Sequence, residues 1–414
     1  MEKRNKTEAT SRAHEDELTM VIRTGARQLL AQALDAEVTE LLATFGEQHD
    51  AKGRARVVRN GYQPAREIQT GIGPVTVQVP KIRSRQGHAV QFHSALVPPY
   101  VRKSRSLETA LPWLYLKGIS TGEMQAALDV LVGPEAQGLS ASTVARLKQT
   151  WRAEYERWRQ RRFDQERWVY IWVDGIYSGL RAEQQRLCAL VVIGVNAHGE
   201  KHLLALEDGL RESTQSWREV LVDLQARGLT PPKLAIGDGA MGFWAALEEL
   251  FPTTRQQRCW FHKMGNVLNA LPKTVHPKAK QALHAIWQAP TRQEADLAFN
   301  QFIVTYEPKY PKAIACLLKD HETLLTFFDF PARHWQSLRT TNPIESTFAT
   351  IRLRTARTKG CVTRDSLLHM MFKLGQCAEK NWRKLRGFSE LANVVEGIPF
   401  VNGEELQQPN RVAA

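Results

Sequence analysis

Trp168-Val-Tyr-Ile-Trp-Val173, followed directly by Asp174, opens the stretch that decides the fold. Two further apolar runs come next, Leu187-Cys-Ala-Leu-Val-Val-Ile-Gly-Val195 and His202-Leu-Leu-Ala-Leu-Glu207, separated by the polar turn Asn196-Ala-His-Gly-Glu200. Short runs rich in β-branched and aromatic residues, bounded by turn residues, read as strands. The spacing therefore predicts a three-stranded meander. A helix is expected from Thr214 to Arg227, because Trp217, Val220, Leu221 and Leu224 share one face. A short buried strand, Lys233-Leu-Ala-Ile236, then runs into Gly237-Asp238-Gly239. The order β-β-β-α-β makes this an α/β region.

Two carboxylates stand at strand ends in that reading. Asp174 is expected to end the first strand and Asp238 the fourth, where glycines on both sides leave it open to approach. Each alone also reads as a turn-forming Asp, since Asp-Gly is a favoured turn pair. Together they gain weight, because in a ribonuclease-H-like sheet of this order the first and fourth strands are neighbours. A two-metal site needs a further acid to supply bridging and terminal oxygens. Glu345 is the candidate, in Thr340-Thr-Asn-Pro-Ile-Glu345-Ser-Thr-Phe-Ala-Thr-Ile-Arg352. With Asn342 read as N-cap and Pro343 as N1, Glu345 falls at N3, which is also where a capping box wants an acid. Glu345, Ala349, Arg352 and Ala356 share one helical face. Arg352, Arg354, Arg357 and Lys359 follow as candidate grips on phosphate oxygens.

Working outward, Leu18 to Leu42 carries apolar residues at helical spacing, so residues 15–45 are expected to form one or two helices. Residues 54–85 change to strand and turn chemistry, with Asn60-Gly61, Gly71-Ile-Gly73-Pro74 and the alternating Val75-Thr-Val-Gln-Val79. Residues 107–151 suggest short helices with a break at Gly133-Pro134, a helix-turn-helix outline whose recognition helix would run from Ser140 to Lys148. Arg102, Lys103 and Arg105 precede it, and Arg146 and Lys148 lie within it, as candidate DNA contacts. Beyond Met241 the chain reads as helical almost to Arg333, punctuated by Pro272, Pro277, Pro290 and Pro311.

The charge is localised. Residues 51–105 hold eleven Lys and Arg against one acid, Glu67, and Arg333 to Arg386 holds twelve against Glu345, Asp365 and Glu379. In a chain of net charge +13, two separated basic clusters point to a nucleic-acid track. With 414 residues, 43% hydrophobic and 24% charged, the composition excludes wholesale disorder and collagen. Five scattered cysteines and a polar start without a signal-peptide core lead us to expect a reducing, cytoplasmic setting. The longest apolar run is far short of a membrane span. No Gly-x-x-x-x-Gly-Lys-Ser/Thr loop points to ATP-driven chemistry, and no Gly-x-Ser-x-Gly elbow to a serine hydrolase. Cys259-Trp-Phe-His262 could be half a zinc site, but no second pair completes four ligands.

Several blocks resemble those of the mutator-type transposases of bacterial insertion sequences. They are Trp172-Val-Asp174-Gly-Ile-Tyr177, Gly237-Asp238-Gly-Ala-Met-Gly-Phe-Trp244, Gln257-Arg-Cys259-Trp-Phe-His262-Lys-Met-Gly-Asn266 and Thr341-Asn-Pro-Ile-Glu345-Ser-Thr-Phe. The segments Arg59-Asn-Gly-Tyr62 and Val79-Pro-Lys-Ile-Arg83 share the likeness. The resemblance implies a ribonuclease-H-like core interrupted by an all-helical insertion, with an Asp-Asp-Glu triad at Asp174, Asp238 and Glu345. It also implies that Cys259 and His262 are an accessory signature. Seven segments are expected: a helical N-terminus (1–50), a basic β-containing DNA-binding segment (51–105), a helix-turn-helix-like region (106–165), the first part of the core (166–250), the helical insertion (251–335), the C-terminal part of the core (336–395) and a tail (396–414). The activity so implied is metal-dependent DNA cleavage and strand transfer, with two Mg²⁺ or Mn²⁺ ions per site. Double-stranded DNA would be the partner, as terminal inverted repeats and as target, and pairing two ends asks for a homodimer or higher assembly associated with the bacterial nucleoid during activity. The rivals are a non-catalytic DNA-binding regulator and a structure-selective nuclease on the same core.

Overall fold

A computed structural model of the chain describes residues 17–85, 90–104, 106–107, 110, 114, 119, 123–132, 141–179, 186–209, 211–239, 242–357 and 363–406, without the side chains of 141–148 and 350–357. The chain divides after Leu147 into two units. Among the described residues no helix is long and apolar enough to cross a membrane.

In the first unit a single long helix, α1 (Glu17–Ala43), precedes four short strands, β1 (Val57–Tyr62), β2 (Arg66–Thr70), β3 (Gly73–Val77) and β4 (Pro80–Ser84). β2 and β3 form a hairpin, and β1 pairs antiparallel with β4. Alternation in Val75-Thr-Val-Gln-Val79 turns the valines inward, where they meet Leu34 and Val38 of α1 together with Val57, Ile68 and Ile82. Gly73 has φ +97°, and Arg23 from α1 fills the space its side chain would need, bonding to the Ile72 carbonyl at 2.5 Å. Helix α2 (Met124–Val132) lies farther along this unit, and α3 (Ala141–Arg159) spans the division. The predicted recognition segment falls largely in the first half of α3, where side chains are outside the description.

The second unit is built on a five-stranded mixed sheet. Its strands are β5 (Trp168–Ser178), β6 (Leu187–Asn196), β7 (Lys201–Gly209), β8 (Leu234–Gly237) and β9 (Arg255–Arg258), in the order β7-β6-β5-β8-β9. β7, β6 and β5 are antiparallel, whereas β5, β8 and β9 run parallel. Two expectations need correction. Asp174 does not end the first strand, because pairing with β6 carries β5 on to Ser178. The 251–335 segment is not all-helical, since Arg255-Gln-Gln-Arg258 is a sheet strand. It lacks the apolar run that marks a strand in sequence, being an edge strand that buries only Gln257 fully.

Helices cover both faces of the sheet. On one, α4 (Thr214–Ala226) and α5 (Phe243–Leu250) place Trp217, Val220, Leu221, Leu224, Phe243 and Leu247 against Ile171, Val173, Val192 and Ala235. α4 is capped by Ser213, whose side chain accepts the Ser216 amide. The other face meets the chain that returns through α11 (Trp335–Leu338), α12 (Asn342–Arg357) and α13 (Arg364–Glu379). There the Tyr170 hydroxyl meets His334 Nδ1 at 2.9 Å, and Trp172 Nε1 donates to the Ser337 carbonyl at 2.9 Å. Between β9 and α11 lie α6 (Trp260–Asn269), α7 (His276–Trp287), α8 (Arg292–Tyr306), α9 (Pro311–Leu318) and α10 (His321–Leu324). Buried Gln257 ties this segment to the sheet edge, donating to the Leu324 carbonyl and accepting the Phe327 amide at 2.8 Å.

Candidate active site

The sheet register brings the first two acids together. β5 and β8 pair up to Trp172 and Ile236, and Asp174 and Asp238 each stand two residues beyond that last pair. Parallel neighbours are about 4.8 Å apart, so the two backbones present their acids side by side where β8 ends. Trp172, Asp174 and Ile176 share a strand face by alternation, the face on which Trp172 reaches Ser337. Asp174 is 7% exposed, and its Oδ1 accepts the amide of Gly175 at 2.9 Å. Asp238 accepts the amide of Gly239 at 2.5 Å, while its carbonyl takes the indole N–H of Trp244 at 2.6 Å. Behind Asp238 a buried cluster braces the strand end. Arg258 lies 3.8 Å over the Trp244 ring and 3.5 Å from Asp320, which also pairs with buried Lys263.

Glu345 arrives from α12. The helix begins at Asn342, so Thr341 rather than Asn342 occupies the cap, and Glu345 sits one place deeper than N3. Its carboxylate Oε1 accepts from the Thr341 hydroxyl at 3.3 Å and lies 3.6 Å from His262 Nε2. His262 stands beside Glu345 and senses the fields of Asp174 and Asp238. Burial works against a charge on its ring, but the Cys259 thiol and the fields of Asp174 and Asp238 outweigh it and raise the imidazole to about 9. The shift favours the protonated ring beside Glu345. Cys259, directly before α6, is buried and contacts Thr341 through its sulfur. The Cys-x-x-His spacing thus places both side chains on the start of one helix that opens toward Glu345.

A fourth acid was not foreseen. Glu212, two residues before α4, lies over Gly175, where an added Cβ would come within 2.2 Å of its Cδ. Burial raises this carboxyl to about 7, and Asp174 and Asp238 push in the same direction against a hydrogen bond from Tyr177 and the charge of His262. In sequence it is one acid in a turn before a helix, so only the close approach of Gly175 reveals it.

Among the described residues no three His, Cys, Asp or Glu side chains stand close enough to hold a metal ion as they lie. Of the basic candidates, Arg102 is exposed and Lys103 half-buried, and the Gln69 amide donates to the Arg102 carbonyl at 2.9 Å. Arg105 and Lys359 lie outside the described residues, as do the side chains of Arg146, Lys148, Arg352, Arg354 and Arg357. The backbone nevertheless carries Arg352, Arg354 and Arg357 on the same helix as Glu345.

Residues 1–384 match the family model described as Transposase, Mutator family. The transposase for insertion sequence element IST2 of Acidithiobacillus ferrooxidans is 52% identical over 281 residues, 68% of this chain and 95% of that protein. The transposase for insertion sequence element IS6120 of Mycolicibacterium smegmatis is 46% identical over 306 residues, 74% of this chain and 94% of the relative. A more distant relative, the transposase for insertion sequence element ISRM5 of Rhizobium meliloti, aligns over 403 residues at 27% identity, covering 96% of this chain and 94% of its own length. With a family match that spans both units and near-full-length relatives of one kind, this chain belongs to the Mutator family of transposases.

Proposed function

We propose that the chain cuts the ends of its insertion sequence and joins them to target DNA at a site formed by Asp174, Asp238 and Glu345, on a ribonuclease-H-like core interrupted by the helices from α6 to α10. The observation that carries this reading is the register of β5 and β8, which sets two acids side by side, with a third acid, Glu345, 3.6 Å from the His262 ring. The residues suit Mg²⁺ or Mn²⁺: three carboxylates would supply hard oxygen ligands. Two bound ions would activate a water or a 3′-hydroxyl and stabilise the leaving oxygen. The protein's own residues hold geometry. Gly175 and Gly239 donate amides that fix the rotamers of the two aspartates, and Trp244 pins the Asp238 backbone. A phosphodiester backbone lying along α12 would run past Arg352, Arg354 and Arg357, with Lys359 a further candidate by sequence, while the basic segment 51–105 and α3 would bind the inverted repeats as an assembly pairs two ends.

Replacing Asp174, Asp238 or Glu345 with Ala should abolish Mg²⁺-dependent cleavage and lower Mn²⁺ affinity measured by calorimetry, with end binding largely intact. Cleavage that survives Glu345→Ala would leave Glu345 a helix-start residue and remove it from the site. A strand-transfer assay separates the transposase from a nuclease that only cuts. End binding should weaken steeply with salt, each phosphate contact adding a slope of about −0.9 on the logarithmic plot.

A further inference from the structure

The start of α12 solves a conflict that the amino-acid order poses. An acid in the first turn of a helix is drawn back to cap the free amides there. Glu345 is in that position, yet a carboxylate spent on capping cannot serve the sheet edge. The two amides it could reach are already taken: Asn342 donates to the Thr340 hydroxyl at 3.4 Å, and Thr341 donates to Cys259 Sγ at 3.4 Å. Both members of the second pair are sealed, Cys259 being 1% exposed and Thr341 fully buried. The same sulfur lies 3.4 Å from Thr341 Oγ1, and that hydroxyl donates onward to Glu345 Oε1 at 3.3 Å.

We propose that Cys259 and Thr341 are positioning residues for the third acid: the thiol occupies the amide that would otherwise capture Glu345, and the threonine hydroxyl aims the freed carboxylate toward His262 and the Asp174–Asp238 edge. This rests on the metal-site reading above, and it assigns a task to the cysteine of the Cys-x-x-His pair that zinc does not require. Sulfur is a weak acceptor, so its contribution is to occupy the amide at this spacing rather than to bind it strongly.

The test uses the full-length protein with Mn²⁺ as probe. Cys259→Ala and Thr341→Val should each weaken Mn²⁺ binding by about 10- to 100-fold, the usual cost of losing an outer partner of a ligand. Melting temperature and affinity for a terminal-repeat duplex should stay near wild type, and Thr341→Ser should restore most of the loss. In crystals of Cys259→Ala the Glu345 carboxylate should swing within hydrogen-bond distance of the Thr341 amide. Unchanged Mn²⁺ affinity in both variants, or a carboxylate still beside His262 in those crystals, overturns the positioning role. So does a loss of affinity that tracks a loss of melting temperature, which would make the pair purely structural. The metal-site reading fails by a different result, Glu345→Gln binding Mn²⁺ as tightly as wild type, and the crystal arm decides the positioning role even then.

Discussion

The two faces of the β5–β8 sheet are covered by helices, but by different means. Against α4 and α5 the contacts are apolar, with Trp217 fully buried and its indole N–H among the buried groups that find no partner. Against α11 and the residue before it the aromatic residues are anchored by directed bonds, Tyr170 to His334 and Trp172 to Ser337. Apolar packing is non-directional and tolerates small slides, whereas a buried hydrogen bond fixes distance and angle. The bonded face is the one that delivers Glu345. The comparison teaches that one face of the sheet is held by bulk hydrophobic burial and the other by directed buried polar contacts.

Breaking the apolar face should have the largest effect. Trp217→Ala should cost about 3–5 kcal/mol, read in denaturant melts, and activity should fall only as the folded fraction falls. On the bonded face Tyr170→Phe leaves the His334 ring without its partner, so we expect about 1–3 kcal/mol, with a drop in cleavage larger than the stability change explains. Equal losses of stability and activity in Tyr170→Phe would erase the distinction between the faces.

A pH titration sharpens the comparison from the site side. Glu212 is raised from 4.5 to about 7, so the stability linked to its proton is full below pH 4.5 and lost as pH rises through 7. His262 is raised from 6.5 to about 9, so its contribution is full below pH 6.5 and lost as pH rises through 9. Both run the same way, and melting temperature without divalent ions should decline from about pH 5 to pH 9. Glu212→Gln should flatten the acid half of that decline, and His262→Asn the alkaline half. A profile unaffected by either variant would show that the acids and the histidine do not sense one another. The smallest effect belongs to the outer surface: Arg218 pairs with Glu249 at 2.6 Å, both half-exposed, and Arg218→Ala should leave the melting temperature close to wild type.

Much of this was legible in the residues. Apolar runs with turn residues between them located β5, β6, β7 and β8 to within a few residues, because each is buried on both faces and must be continuously hydrophobic. Asp174, Asp238 and Glu345 stand out in the sequence as acids set against apolar strands or opening a basic helix. Strand β9 does not, since an edge strand of Arg and Gln is held by pairing with β8 rather than by burial.

What the amino-acid order could not decide was the use of each polar group once distant segments met. Nothing near Glu345 in sequence shows whether it caps α12 or faces the sheet edge; the outcome turns on a sulfur 86 positions earlier, at Cys259, that takes the competing amide. Glu212 is similarly mute until Gly175 lies beneath it. Periodicity and composition record which residues leave water, a property of each residue and its near neighbours. Hydrogen-bond partnership and proton affinity depend on which groups arrive within about 3 Å, and that is settled only by the folded chain.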